Sequence, residues 1–288
     1  YGFYGIAGLL IGLVSTAIVA AVGENLRLGV SIYLYFLSGV ILLLGILSWI
    51  YIPKFAGEIK TEGGFSLNEF TAAFRDPVVW IAAISLFFVY FFYTGVTYTT
   101  PYMTGVLGVS LAAATIVANV RNYGITLLSG PIFGWIANKF RPSIVIAAGS
   151  VVFIAALLVM MMLPSGPAVM VVACVLVVLL GFIANGAFGV VSAQLTEGKV
   201  PLGHFGAATG ILSIIGFLPD TFSSTWFGSI MDAQTDAAGN VAAGAYQEIF
   251  WILIGSAVLA ALASLALYLY LRKARPEVAT AVSAEVSA

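Results

Sequence analysis

Two ionisable residues stand where ionisable residues are scarce. Arg121 lies near the centre of "ATIVANVRNYGITLLSG" (114–130), and Asp220 lies inside "GFLPDTFSS" (216–224), each in an apolar run. If those runs cross a bilayer, Arg121 is about 15 Å and Asp220 about 16 Å from the outer end of its own helix, so both fall near mid-membrane. Either charge facing lipid costs roughly 2.5–3.5 kcal/mol, a penalty that a shared cavity or a mutual ion pair removes. A guanidinium stays charged and donates parallel hydrogen bonds to a planar anion. Arg121 is therefore a candidate binder of an anionic group, such as a carboxylate, on a small organic solute. Asp220 is a candidate coupling residue that modulates Arg121 or carries a proton, and the bland alternative for both is a structural ion pair.

Neutral polar residues fall at spacings that could complete such a site. Tyr90, Tyr93, Thr94, Thr97 and Tyr98 are spaced i, i+3, i+4, i+7, i+8, one stripe of a helix. Tyr98 and Tyr102 fit an interfacial aromatic belt; Tyr90, Tyr93, Thr94 and Thr97 are expected to line a cavity. Asn185, flanked at four-residue spacing by Gly181 and Gly189, serves either a neighbouring helix or the solute, while the glycines read as packing positions. Asn119 and Asn122 flank Arg121 and are expected to orient it. Pro219 precedes Asp220 and is expected to kink its helix and free a carbonyl.

The elements that must position these residues follow from composition. The chain is 61% hydrophobic and 8% charged, with a mean hydropathy of +1.10. That balance predicts an all-α, polytopic membrane bundle. About 20 apolar residues cross a hydrocarbon core, and by that measure eight spans are expected, near 4–22, 29–52, 78–99, 111–137, 143–163, 167–193, 205–231 and 247–271. A polar link (53–77) separates the first two spans from the last six, and a polar tail (272–288) is expected to be disordered. If the spans alternate, Lys54, Lys60, Arg75, Lys139, Arg141, Lys199, Arg272, Lys273 and Arg275 fall on one side and Arg27 on the other. Positive charge gathers on the cytoplasmic face, so the C-terminus is expected there, in a bacterial inner membrane. The chain opens on Tyr1, which predicts that preceding helices of the same protein are missing from it.

Other chemistry finds no residues. A net charge of −1 gives no footprint for nucleic acid, and one cysteine (Cys174) with one histidine (His204) cannot build a metal cluster. No phosphate-binding loop, catalytic triad or dinucleotide fingerprint is present, so neither an enzyme nor a cofactor is expected. The expected partners are a small-molecule solute, the lipid bilayer and, as candidate coupling ion, the proton.

The link "SGPIFGWIANKFRPS" (129–143) resembles the C-terminal copy of the signature loop of the major facilitator superfamily, G-x-x-x-D-x-x-G-R-R/K. Gly134, Asn138 and Lys139 occupy its glycine, acidic and basic positions, whereas Arg141, Pro142 and Ser143 replace Gly-Arg-Arg. "KVPLGHFGAATGIL" (199–212) and "FGSIMD" (227–232) are similar to the start and end of that family's eleventh helix. The resemblance implies helices five to twelve. Residues 1–52 would be the last two helices of an N-terminal half, 53–77 the central cytoplasmic loop, and 78–271 a complete C-terminal six-helix half. It also implies secondary transport by alternating access, with Gly134, Asn138, Lys139 and Arg141 in a gating loop and a solute site between the halves. An arginine in the eighth helix recurs in family branches that carry anions. Two other readings stay open: an exporter of neutral or cationic compounds, and a membrane sensor that binds solute without moving it.

Overall fold

The computed structural model describes residues 6–8, 10–14, 18, 26–51, 67–164, 166 and 169–286, with side chains up to Lys273 in the last helix. Most of the expected first span and residues 52–66 of the central link lie outside the described residues. Among those described, the architecture is all helical, apart from an isolated antiparallel bridge between Thr235 and Val241. Six helical stretches are long and apolar enough to cross a membrane: Arg27–Tyr51, Pro77–Gly105, Pro142–Met161, Met170–Val191, Leu202–Ala233 and Ala243–Lys273. The expected span at 111–137 is helical throughout but changes its winding midway.

The chain divides into two compact units, one within Ile6–Leu67 and one within Asn68–Ala288. The first contains α1 (Leu26–Tyr51), an apolar helix whose side chains are exposed along nearly its whole length. Two of its serines turn inward on their own backbone, Ser31 Oγ donating to the Arg27 carbonyl and Ser38 Oγ to that of Leu34, which keeps these two hydroxyls paired at an apolar surface.

In the second unit, helix boundaries follow residue chemistry. After the short α2 (Leu67–Arg75), Asp76 caps α3 (Pro77–Gly95) by accepting from the Val78 N–H at 2.8 Å, with Pro77 at the first position, where a missing N–H costs nothing. Next, α3 tightens into a 3-10 turn at Val96–Tyr98 before α4 (Thr99–Gly105). Pro101 explains the break, because it has no N–H to give the Thr97 carbonyl. Ser110 caps α5 (Leu111–Asn119). A π-turn follows at Val120–Gly124, closed by Ile125 N–H to the Val120 carbonyl, and then α6 (Ile125–Phe140). Beyond it are α7 (Pro142–Met161), α8 (Met170–Val191), the short α9 (Ala193–Glu197), α10 (Leu202–Gly216), α11 (Pro219–Ala233) and α12 (Ala243–Val286).

Helix α12 packs on α3 and α7, α8 on α6 and α7, and α10 on α3. Close approach depends on glycine: a Cβ on Gly216 would meet Leu86, and one on Gly186 would enter the Phe133 ring. Hydroxyls and amides cross-link the helices where no water competes. Ser85 and Ser264 share a bond at 2.9 Å, Gln194 Nε2 donates to Ser264 Oγ at 3.1 Å, and Ser256 Oγ donates to the Phe88 carbonyl at 2.8 Å.

One expectation differs from what is seen. Tyr102 is no belt residue: it is buried between helices against Tyr246 and Phe250, because the turn at Val96–Tyr98 redirects the stripe below it. Helix α12 is described as far as Val286.

Candidate functional site

A cavity of about 420 Å³ opens among α3, the π-turn, α8 and α11. Four distortions or notches create it. The winding change after Gly95 brings the Val96 carbonyl to Arg121, the π-turn displaces Arg121, Gly181 leaves room on α8, and the chain breaks between Gly216 and Pro219. Irregular backbone at membrane depth is tolerated where it lines a cavity.

Arg121 is 4% exposed and lines this cavity. Its Nη1 donates to the Val96 carbonyl at 2.8 Å, Thr99 Oγ1 at 2.9 Å and Thr100 Oγ1 at 3.2 Å. Nε donates to Asn122 Oδ1 at 3.1 Å. Nη2 donates to none of the described residues. A Cβ on Gly181 would lie 2.2 Å from Arg121 Cγ, so the arginine's stem occupies the notch that glycine leaves. All the acceptors around this cation are neutral.

Asp220 lines the same cavity from the first turn of α11, a position where a helix dipole favours negative charge. It does not pair with Arg121. Instead Asp220 Oδ2 accepts from Tyr90 Oη at 2.8 Å. Pro219 opens α11 at its first position. The Ile215 carbonyl, which Pro219 cannot serve, accepts from the Leu218 N–H at 3.3 Å. The break is thus a proline start after a helix end, and the expected free carbonyl has a donor.

The tyrosine and threonine stripe separates into two roles. Tyr93, Thr94 and Thr97 line the cavity. Both threonine hydroxyls bond their own helix, Thr94 Oγ1 to the Tyr90 and Phe91 carbonyls and Thr97 Oγ1 to the Thr94 carbonyl. Tyr93 stacks on Phe188 with ring centroids 4.8 Å apart, and Tyr90 meets Phe217 edge-on at 4.7 Å. Tyr90 reaches the site through Asp220. Asn185 lines the cavity while joining helices: its Oδ1 accepts from Thr126 Oγ1 at 2.8 Å and its Nδ2 donates to the Gly181 carbonyl at 2.9 Å. Asn122 lies at the site; Asn119 is exposed at the end of α5 and does not line it.

Sequence reading passed over Thr99, Thr100 and the Val96 carbonyl, and also Tyr123, Ser223 and Ser224, which line the cavity. The signal for the first group was "TTP" (99–101), a proline that breaks a helix beside two hydroxyls. Ser223 and Ser224 lie three and four residues after Asp220, on its helical face.

A second cleft, about 760 Å³, lies at the end of the bundle that carries Lys199, Tyr270 and Leu271, beside the loop that resembles the family signature. Asn138 and Arg141 line it. Gly134 has open space where a Cβ would be, and Lys139 Nζ lies 5.9 Å from the Trp135 ring and 5.3 Å from that of Phe140. Arg141 adopts φ 73°, and its guanidinium lies 5.6 Å from the Tyr268 ring. A positive φ suits glycine, the residue of the family pattern at this position. Glu197 Oε2 accepts from both the backbone N–H and the hydroxyl of Ser143, closing the start of α7.

Comparison with known proteins agrees with this architecture. The family model described as Major Facilitator Superfamily matches residues 1–224. The chain is 27% identical over 266 residues to "Inner membrane protein YihN" of Escherichia coli (strain K12), covering 88% of this chain and 61% of that protein. It is 31% identical over 229 residues to "Inner membrane protein YqcE" of the same organism, covering 77% and 52%. A match of 24% identity over 270 residues is to "Uncharacterized protein MG294 homolog" of Mycoplasma pneumoniae, covering 86% and 57%. The chain thus spans between about half and three fifths of the length of these curated relatives. No solved structure matches.

Proposed function

This chain belongs to the major facilitator superfamily, and on that premise we propose that it forms the larger part of a secondary transporter for a small organic anion, working by alternating access in an inner membrane. On this reading residues 1–52 end an N-terminal half, 53–77 link the halves, 78–271 form the C-terminal half, and the C-terminus is cytoplasmic. The names of the Escherichia coli relatives support the inner membrane.

One observation carries the anion. Arg121 is buried, borders the cavity and has only neutral acceptors around it. An uncompensated cation at membrane depth is costly, and an anionic solute supplies the missing charge at the moment of binding. Tyr93, Thr94 and Thr97 shape the wall beside it, and Asn185 holds α8 against α6. The reading in which Arg121 and Asp220 are only a structural pair lacks the contact it needs. Asp220, facing the cavity and bonded to Tyr90, is then the proton-coupling residue, released from Tyr90 when it takes up a proton.

Uptake of labelled carboxylates by the full-length protein in proteoliposomes tests this. Truncating one partner of a buried charge interaction costs about 3 kcal/mol, so Arg121→Gln should lose roughly a hundredfold in uptake efficiency. Equal anion uptake by the variant and the parent protein would remove the assignment. Asp220→Asn should retain anion exchange but lose accumulation driven by a pH gradient.

A further inference from the structure

A guanidinium carries five N–H donors, one on Nε and two on each terminal nitrogen. The two hydrogens of Nη1 face three acceptors, the Val96 carbonyl, Thr99 Oγ1 and Thr100 Oγ1. The single Nε hydrogen faces Asn122 Oδ1. A carboxylate that binds Arg121 with both oxygens needs two parallel N–H groups. Only two edges offer them: the end-on pair Nη1 and Nη2, or the side-on pair Nε and Nη2.

These edges are not equally available. Clearing the end-on edge means freeing one of the two Nη1 hydrogens from acceptors at 2.8 and 2.9 Å, a backbone carbonyl fixed in a helix break and a threonine that is fully buried. Clearing the side-on edge means moving one neutral amide oxygen at 3.1 Å, on a side chain that is exposed at the cavity. The π-turn makes this local contact: with more residues per turn than an α-helix, it brings the consecutive side chains 121 and 122 closer around the axis.

We propose that Asn122 is a stand-in for the solute's carboxylate, occupying the Nε position of Arg121 in the empty carrier and yielding it when the anion binds side-on. Asn122 is on this account a specificity-determining residue. It keeps the guanidinium hydrogen-bonded when the site is empty, as a carrier that must reorient without solute requires, and it makes the site select planar, two-oxygen anions. The proposal rests on Arg121 being the anion site.

The test reads occupancy of Arg121 directly. The full-length protein in lipid nanodiscs is treated with phenylglyoxal, an arginine reagent, and modification of the peptide containing Arg121 is followed by mass spectrometry. Sodium formate, the smallest planar carboxylate, is the protecting probe, and sodium chloride at equal concentration is the reference. Formate should protect the parent protein. Removing one competing hydrogen bond should lower the half-protecting concentration about fivefold in Asn122→Ala. An internal carboxylate in Asn122→Asp should raise it at least tenfold, since it occupies the same edge at high effective concentration. Should Asn122→Asp fail to fold, Asn122→Ser carries the test in the direction of alanine. Protection of the parent protein together with unchanged or weaker protection of Asn122→Ala overturns the stand-in role and leaves the anion site intact. No formate protection in any variant overturns the anion site and the stand-in with it.

Discussion

The two polar clefts of the second unit treat charge in opposite ways. At the mid-bundle cavity, Arg121 is buried among neutral oxygens, and the nearby carboxylate bonds a tyrosine instead. At the basic end, both carboxylates close helix starts: Asp76 caps α3 and Glu197 caps α7, while the Arg141 cation lies over the Tyr268 ring. In the end cleft charge is spent on holding helices. In the middle it is held in reserve, and a site with charge in reserve is where a ligand changes the energy most.

That contrast can be broken most forcefully at Gly181. A Cβ there would lie 2.2 Å from Arg121 Cγ, so Gly181→Ala should push the guanidinium off its acceptors. Overpacking of this kind costs about 3 kcal/mol at the severe end, a roughly hundredfold fall in anion uptake read in proteoliposomes. Normal uptake by a folded Gly181→Ala protein would show that Arg121 need not sit where it does.

A smaller effect sharpens the other side. Glu197→Ala removes the acceptor for two donors at the start of α7 and should lower stability by about 2 kcal/mol, seen as a lower midpoint of thermal unfolding in detergent. The concentration of formate that half-protects Arg121 should not change. A shift in that concentration would mean that the two clefts are coupled. Smallest is Arg141, held at φ 73°. Arg141→Gly should be more stable than Arg141→Ala by about 1 kcal/mol, because only glycine adopts that angle freely. Equal midpoints for the two variants would show that the backbone there relaxes without cost.

Much of this was legible in the sequence. Hydrophobic runs of span length located six of the eight expected spans among the described residues, and a lone arginine and aspartate inside such runs both line the cavity, where the membrane makes such residues expensive. Pro77, Pro142 and Pro219 sit at helix starts, where a missing N–H is harmless. What escaped were the features that depend on winding. Nothing in residue type distinguishes Val120–Gly124 from ordinary α-helix, yet its π-turn sets where Arg121 and Asn122 point. Thr99 and Thr100 meet Arg121 only because the break at Val96–Tyr98 turns them toward it. The glycine at 181 reads as helix packing on spacing alone; it packs, but against the stem of Arg121.

The widened turn at Val120–Gly124 has a consequence for descent. Loss of a single codon there would restore regular winding and leave the helices on either side in nearly the same phase, because the π-turn absorbs one extra residue; only side chains within the turn would change direction. The arginine would survive in every sequence comparison while pointing elsewhere. Lineages can therefore gain or lose this site by one insertion or deletion, with composition, net charge and span count unchanged.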